Sequence, residues 1–234
     1  MTKSKTAAKN ADEFERLNSK RGEQMKYLGK PAGMWALFAG SFEKHLTVEF
    51  DLTAEQAKDV AVRAKKRYRE IIAKLPEFDK RDRFEMNIVN CAMLAAFILC
   101  MPQRPDIKTL TDYYAAAMMT PTMKAFCRAS GKKKFTPKDI EGMKATAKLR
   151  AGDRNPYSWN MDFFEYEDGS GYEARFMTCG ICTLMQVLGL YDLTPALCHL
   201  DYTMSDAGGA SDFVREYTLA SGGPYCDCGY HKKQ

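Results

Sequence analysis

The stretch IVNCAMLAAFILCM, Ile88 to Met101, constrains this chain more than any other. It is apolar on every side apart from Asn90, yet it falls short of the roughly 20 residues that cross a bilayer. A segment of this kind has to be a helix enclosed by the rest of the protein. At 234 residues the chain is long enough to build that enclosure without covalent staples. The eight cysteines are too sparse for a disulfide scaffold. Residues 1 to about 30 are polar and basic and carry neither the apolar core nor the cleavage site of a secretory signal. A flexible basic lead-in over 1–30, a cytoplasmic location and reduced thiols are therefore expected.

From 31 to 150 the pattern is helical. LTAEQAKDVAVRAKKRYREIIAKL opens with Asp51 or Thr53 as N-cap candidate, repeats apolar residues at helical spacing and stops before Pro76. The apolar run gives a second helix, ending at Pro102, and IKTLTDYYAAAMMT and TPKDIEGMKATAKLR give two more. Tyr113, Tyr114, Met118 and Met119 belong to a core at that spacing, an apolar ligand pocket being the other reading.

The composition changes at AGDRNPYSWN. Trp159 to Glu167 and Tyr172 to Thr178 read as strands joined at DGSG, a strong hairpin signal. Helices are expected at Ile181–Leu188 and from Thr194 to about Asp206, the latter with Pro195 in its first turn. A terminal hairpin turns at Gly222 to Pro224. The expected fold is an α+β domain over 31–234, with a helical part (31–150) followed by an antiparallel sheet of two hairpins with two helices between them.

The net charge of +5 gathers in the lead-in and in GKKKFTPK, Gly131 to Lys138. The second run reads as a solvated loop, outside any nucleic-acid motif. The expected partner is a small-molecule substrate, with no nucleic acid and no membrane, and the sequence leaves room for a homo-oligomer. Walker, G-x-S-x-G, G-x-G-x-x-G and H-E-x-x-H motifs are missing.

Polar residues worth weighing fall between Cys179 and Asp227. Cys179 stands at a strand-to-helix junction, where the helix N-terminus favours a thiolate. Cys198 and Asp201, three apart, share a face of the expected helix, while His199 points elsewhere and reads as structural. If Ser221 to Pro224 form a four-residue loop, Leu219 lies opposite Cys226 and Thr218 opposite Asp227. Alternation then puts Arg215, Cys226 and Cys228 on one face, with Asp227 and Thr218 on the other. Arg215 has the chemistry to grip a carboxylate or to lower a neighbouring thiol's pKa. Cys179 and Cys182 form a C-x-x-C, but a zinc ribbon would want a second one, and CDC has a single residue between its thiols. No metal and no cofactor are expected.

The run from Cys179 through LGLYDLTPALCHLD to Arg215, Thr218, Leu219, Gly222, Cys226 and Asp227 resembles the L-2-amino-thiazoline-4-carboxylic acid hydrolase family. The family's ending, R-x-x-T-[LI]-x-x-G-x-x-x-C-D-F-R, is matched in spacing from Arg215 to Asp227, and the likeness extends over most of the chain after about residue 35. Cys228 stands where the family has Phe and Gly229 where it has Arg. The resemblance implies a hydrolase of carbon-nitrogen bonds that opens a cyclic isothiourea to a carbamoyl-cysteine. Cys226 or Cys198 would attack ring C2 or orient a water, Asp201 would serve as acid or base, and Arg215 would bind the carboxylate. Cys179 and Asp227 complete the catalytic candidates, and Thr218 joins Arg215 in binding. The alternative is a non-catalytic ligand-binding or thiol redox-sensing domain on the same fold.

Overall fold

The computed structural model describes residues 19–20 and 22–234. Of the lead-in expected over 1–30, residues 1–18 and 21 lie outside the described residues. Residues 22–27 are helical, and Tyr27 packs edge-on against Tyr68 at 5.9 Å beneath the Arg69 guanidinium.

Helix α1 (Lys30–Glu49) opens with Pro31 in its first turn, where the absent N–H has no partner to lose. In α2 (Ala54–Lys74) the Thr53 hydroxyl accepts from Gln56 N while the Gln56 side chain accepts from Thr53 N, a capping box. The other N-cap candidate, Asp51, lies before it in left-handed backbone, φ 52°. The apolar run is α3 (Glu85–Cys100), buried from Ile88 to Ile98 except at Asn90. Next come α4 (Ile107–Met118), α5 (Pro121–Gly131) and α6 (Pro137–Arg150), whose N-caps Asp106, Thr120 and Thr136 each accept the N–H three residues on.

The core forms around α3. Phe97 stacks on Trp35 at 5.6 Å and leans on Phe42 at 5.2 Å, and burial of each such side chain contributes about 1.5–3 kcal/mol. The buried Tyr68 and Tyr113 hydroxyls donate to the carbonyls of Pro31 and Phe42 at 3.0 and 3.1 Å. Tyr113, Tyr114 and Met118 are buried in this core and Met119 packs at its margin, so this cluster is packing. Among the described residues no helix is long and apolar enough to cross a membrane.

Strands β1 (Met161–Glu165) and β2 (Gly171–Phe176) form the first hairpin. There follow α7 (Gly180–Val187), a 3-10 turn at Tyr191–Leu193, α8 (Thr194–Cys198), α9 (Leu200–Gly208), β3 (Ser211–Val214) and β4 (Cys226–Lys232). The sheet is antiparallel in the order β1-β2-β4-β3, so the last strand in sequence lies in the middle. Its inner face, with Met161, Ala174, Phe213 and Cys228, packs against Met143 and Ala147 of α6 and Tyr202 of α9. This is the α+β architecture expected, with two local differences.

The helix expected from Thr194 to about Asp206 is broken at His199. Arg215 Nη1 donates to the Cys198 carbonyl at 2.9 Å, the acceptor that Tyr202 N would use in a continuous helix. Tyr202 N turns instead to His199 O at 3.2 Å. The second difference is the terminal loop, which runs from Arg215 to Tyr225 in place of the four residues expected. Val214 pairs with Gly229, a shift of two residues from the expected register. Asp227 causes this: its carboxylate accepts Glu216 N at 2.8 Å and Tyr217 N at 2.6 Å, so those donors leave the ladder. A shift of two preserves the faces.

The two halves are joined at Arg150, whose side chain is 2% exposed. It pairs with Asp82 at 3.2 Å and with Asp153, and donates to Ser158 Oγ at 2.9 Å and the Trp159 carbonyl at 3.4 Å. Ser158 Oγ in turn donates to Asp82 at 2.5 Å. We expect Arg150→Met to destabilise the fold by about 3–5 kcal/mol, because it leaves the Asp82 carboxylate buried without its partner. Urea unfolding measures this, and a loss below about 1 kcal/mol, the size of a surface pair, would show that the junction does not depend on it.

Candidate functional site

Arg215 follows β3 directly and continues its alternation, so its side chain lies on the inner face of the sheet, 4.7 Å from the Phe213 ring. There Nη2 donates to Asp201 Oδ2 at 2.5 Å and to Cys228 Sγ at 2.8 Å, in addition to the Nη1 bond to the Cys198 carbonyl. Nε is buried without a partner among the described residues. Burial works against the cation, but Asp201 and Cys228 more than offset it, raising the Arg215 pKa above its ordinary value. The guanidinium is 6% exposed while Asp201 is 43% exposed, so the pair reaches from the interior to solvent. Beside it is an open cavity of about 230 Å³ bordered by Cys198, His199, Tyr202, Arg215, Thr218 and Ser221.

The structure gathers most of the sequence candidates around this point. Cys198 ends α8 and Asp201 lies in the first turn of α9, and the two meet through Arg215 rather than through a shared helix face. Cys226 and Cys228 share the inner face of β4 opposite Phe176 and Ala174. Cys226 Sγ accepts Leu219 N at 3.2 Å. Cys179 is the N-cap of α7, close enough for its charge to act on Cys91, Cys182, Cys198 and Cys226.

The environment sorts these thiols. Burial pushes Cys198 up to about 12, with the Cys179 charge adding to the effect. Burial also raises Cys226, against the Leu219 N–H, and Cys228, against Arg215. Cys179 moves the other way: the Cys182 thiol first, and the Cys182 and Ile181 amides after it, lower its pKa despite burial. The favourable helix N-terminus expected from sequence is thus present at the thiol that most favours ionisation.

Two candidates stand apart from this grouping. Asp227 is on the outer face of β4, its carboxylate occupied by the Glu216 and Tyr217 amides. Thr218 borders the cavity, but from the loop rather than a strand, and its hydroxyl both accepts Ser221 N and donates to Ser221 Oγ at 3.0 Å. Gly229, where the family has arginine, also lies on the outer face. A Cβ there would come 2.5 Å from the Tyr166 hydroxyl and 2.7 Å from Val214 Cγ2, so Tyr166 fills the space an arginine would need.

Sequence reasoning missed three residues. His199, set aside as structural, borders the cavity with Tyr202, because the helix breaks at it. Lys134, read as part of a solvated loop, is half-buried, with Nζ 3.2 Å from the Tyr230 ring centroid and 5.4 Å from that of Tyr172. The aromatic Phe135 beside it was the available signal. Phe135 takes a left-handed φ of 63°, uncommon for a bulky residue, and its N–H donates to Asp139 at 2.9 Å. Burial lowers Lys134 to about 8, opposed by Asp139, Cys228 and Asp201.

Fold and site together define an α+β protein with an open cavity of about 230 Å³ bordered by Arg215 and Cys198. The model of the L-2-amino-thiazoline-4-carboxylic acid hydrolase family matches residues 86–230, more than half of the chain, from α3 into β4. The chain belongs to that family. Searches of curated proteins and of solved structures found no match.

Two measurements check these environments. Iodoacetamide at neutral pH should modify Cys179 before Cys198, Cys226 or Cys228, as read by peptide mapping; the reverse order would contradict the sorting of thiols. The Lys134 pKa is lowered from its ordinary 10.5 to about 8 by folding, so between those values the unfolded chain binds more protons and stability rises with pH. The wild type should therefore gain on Lys134→Met in urea midpoint as pH climbs from 8 to 10, and parallel curves would refute the buried amine.

Proposed function

We propose that the chain is a hydrolase that opens a small cyclic amidine or isothiourea, the substrate named by its family being L-2-amino-thiazoline-4-carboxylic acid. The observation that carries this reading is the Arg215 junction, which ties the Asp201 carboxylate to the Cys198 backbone, with Arg215 and Cys198 both bordering a solvent-open cavity. Ring opening requires a nucleophile at C2, a proton for the departing ring atom and a cationic seat for the carboxylate.

Cys198 is the nucleophile in this reading, since it borders the cavity while Cys226 and Cys228 are buried. At a pKa of about 12 its thiol needs a base, and Asp201, whose charge acts on Cys198 and whose carboxylate Arg215 holds, takes that role in this reading. Sulfur bonds to C2 as Asp201 takes the proton, the ring bond at C2 breaks as that proton is delivered to the departing atom, and water then adds to C2 and expels the Cys198 thiol, releasing carbamoyl-cysteine. Arg215 uses three of its five N–H donors within the protein. Of the two left, Nε is buried, so the second Nη1 N–H is the one a substrate carboxylate would meet, with Thr218, whose hydroxyl donates to Ser221 Oγ, bordering the same cavity.

Incubation with 2-amino-thiazoline-4-carboxylate, with carbamoyl-cysteine followed by mass spectrometry, tests the reading. Cys198→Ala should abolish turnover and Asp201→Asn should lower kcat about 10²–10⁴-fold. Arg215→Lys should raise KM. Undiminished turnover in Cys198→Ala would remove it as nucleophile, and tight binding without turnover by the wild type would favour the ligand-binding alternative.

A further inference from the structure

The Cys179–Cys182 pair is a cluster of nucleophilic groups that the hydrolase reading leaves unused. Helix α7 begins at Gly180, which makes Cys179 its N-cap and Cys182 its third residue. A side chain at the third position reaches back toward the N-cap residue, the relation that produces a capping box, and here both side chains end in sulfur. Both residues are half-buried, whereas Cys91, Cys226 and Cys228 are buried.

The backbone under the pair is held firmly. A Cβ on Gly180 would lie 2.1 Å from the Tyr157 carbonyl oxygen, so α7 starts in direct contact with that strand lead-in. Thr183 Oγ1 ties the same turn to the Pro156 carbonyl at 2.8 Å. The two thiols lie close enough to act on each other, on a turn tied to Tyr157 and Pro156. Cys179 favours the thiolate while Cys182 favours the thiol, because its hydrogen bond to Cys179, then burial and the Cys179 charge, all raise its pKa. Among the described residues no group of three or more His, Cys, Asp or Glu is arranged to hold a metal ion.

We propose that Cys179 and Cys182 form a redox-active dithiol that exchanges with low-molecular-weight disulfides. Cys179 thiolate attacks one sulfur of the small disulfide, whose S–S bond breaks and releases one thiolate, protonated by solvent. Cys182 then gives up its proton to solvent and attacks the Cys179 sulfur, expelling the second half of the small disulfide, again as a thiol. The protein loses two electrons and two protons as its own S–S bond forms, and the small disulfide gains both and leaves as two thiols. The pair does not border the cavity, and this exchange stands whether or not the hydrolase reading does.

The test equilibrates the reduced full chain with oxidised glutathione, blocks free thiols by alkylation and locates the bonds by tandem mass spectrometry. The wild type should carry a Cys179–Cys182 disulfide, reversed by dithiothreitol. Cys182→Ser should stop at glutathione joined to Cys179, and Cys179→Ser should yield neither product. Free thiols at both positions in excess oxidised glutathione would overturn the proposal. So would glutathione on Cys198 or Cys226 of Cys182→Ser while Cys179 stays free. The wild-type result decides the matter even if a variant fails to fold.

Discussion

A guanidinium sealed from water at Arg150 sets how the helical half and the sheet meet. Its partners come from separate segments: Asp82 ahead of α3, Asp153 just beyond α6, and Ser158 and Trp159 in the approach to β1. Removing such a charge from water costs several kcal/mol, and a buried pair recovers little beyond that. Its effect is on alternatives: any arrangement that pulls one acceptor away leaves a dry charge. Phe84 continues the seam by packing on Trp159 and on Phe176 of β2, at 5.4 and 5.7 Å. The inner face of the sheet is thereby aimed at α6 and α9.

Within that frame a second arginine organises the chemistry. Arg215 takes a carbonyl from one helix, a carboxylate from the next and a thiol from the central strand. Breaking the helix ladder at Cys198 is what turns His199 and Tyr202 toward the cavity. Placement gives the cysteines different surroundings. Burial raises the pKa of Cys198, Cys226 and Cys228, while a neighbouring thiol and the amides of a helix start lower that of Cys179.

Much of this was legible from local chemistry. Thr53 with Gln56 marks the start of α2, DGSG marks the first hairpin, and alternation assigns Cys226, Cys228 and Arg215 to one face, which survives a register shift of two. What could not be read depends on contacts between distant segments. The break at His199 exists because a residue further along the chain captures the Cys198 carbonyl. The long terminal loop exists because Asp227 takes amides that a tight hairpin would pair. Lys134 looked like its exposed neighbours Lys132 and Lys133 until Tyr230, remote in sequence, came to lie under its amine.

The position of β4 between β2 and β3 bears on how the protein is made. Synthesis delivers the chain from its N-terminal side, so the helices around α3 are free to mature while translation continues. β2 and β3 share no ladder of their own and are bridged only through residues 226–232. Until those residues leave the ribosome, the first hairpin presents an open edge to any other nascent copy, and Arg215 lacks the sulfur it will bind. A chain cut before Cys226 would therefore leave the free edge of β2 as a sticky flank, open to another strand although the helical core stays covered.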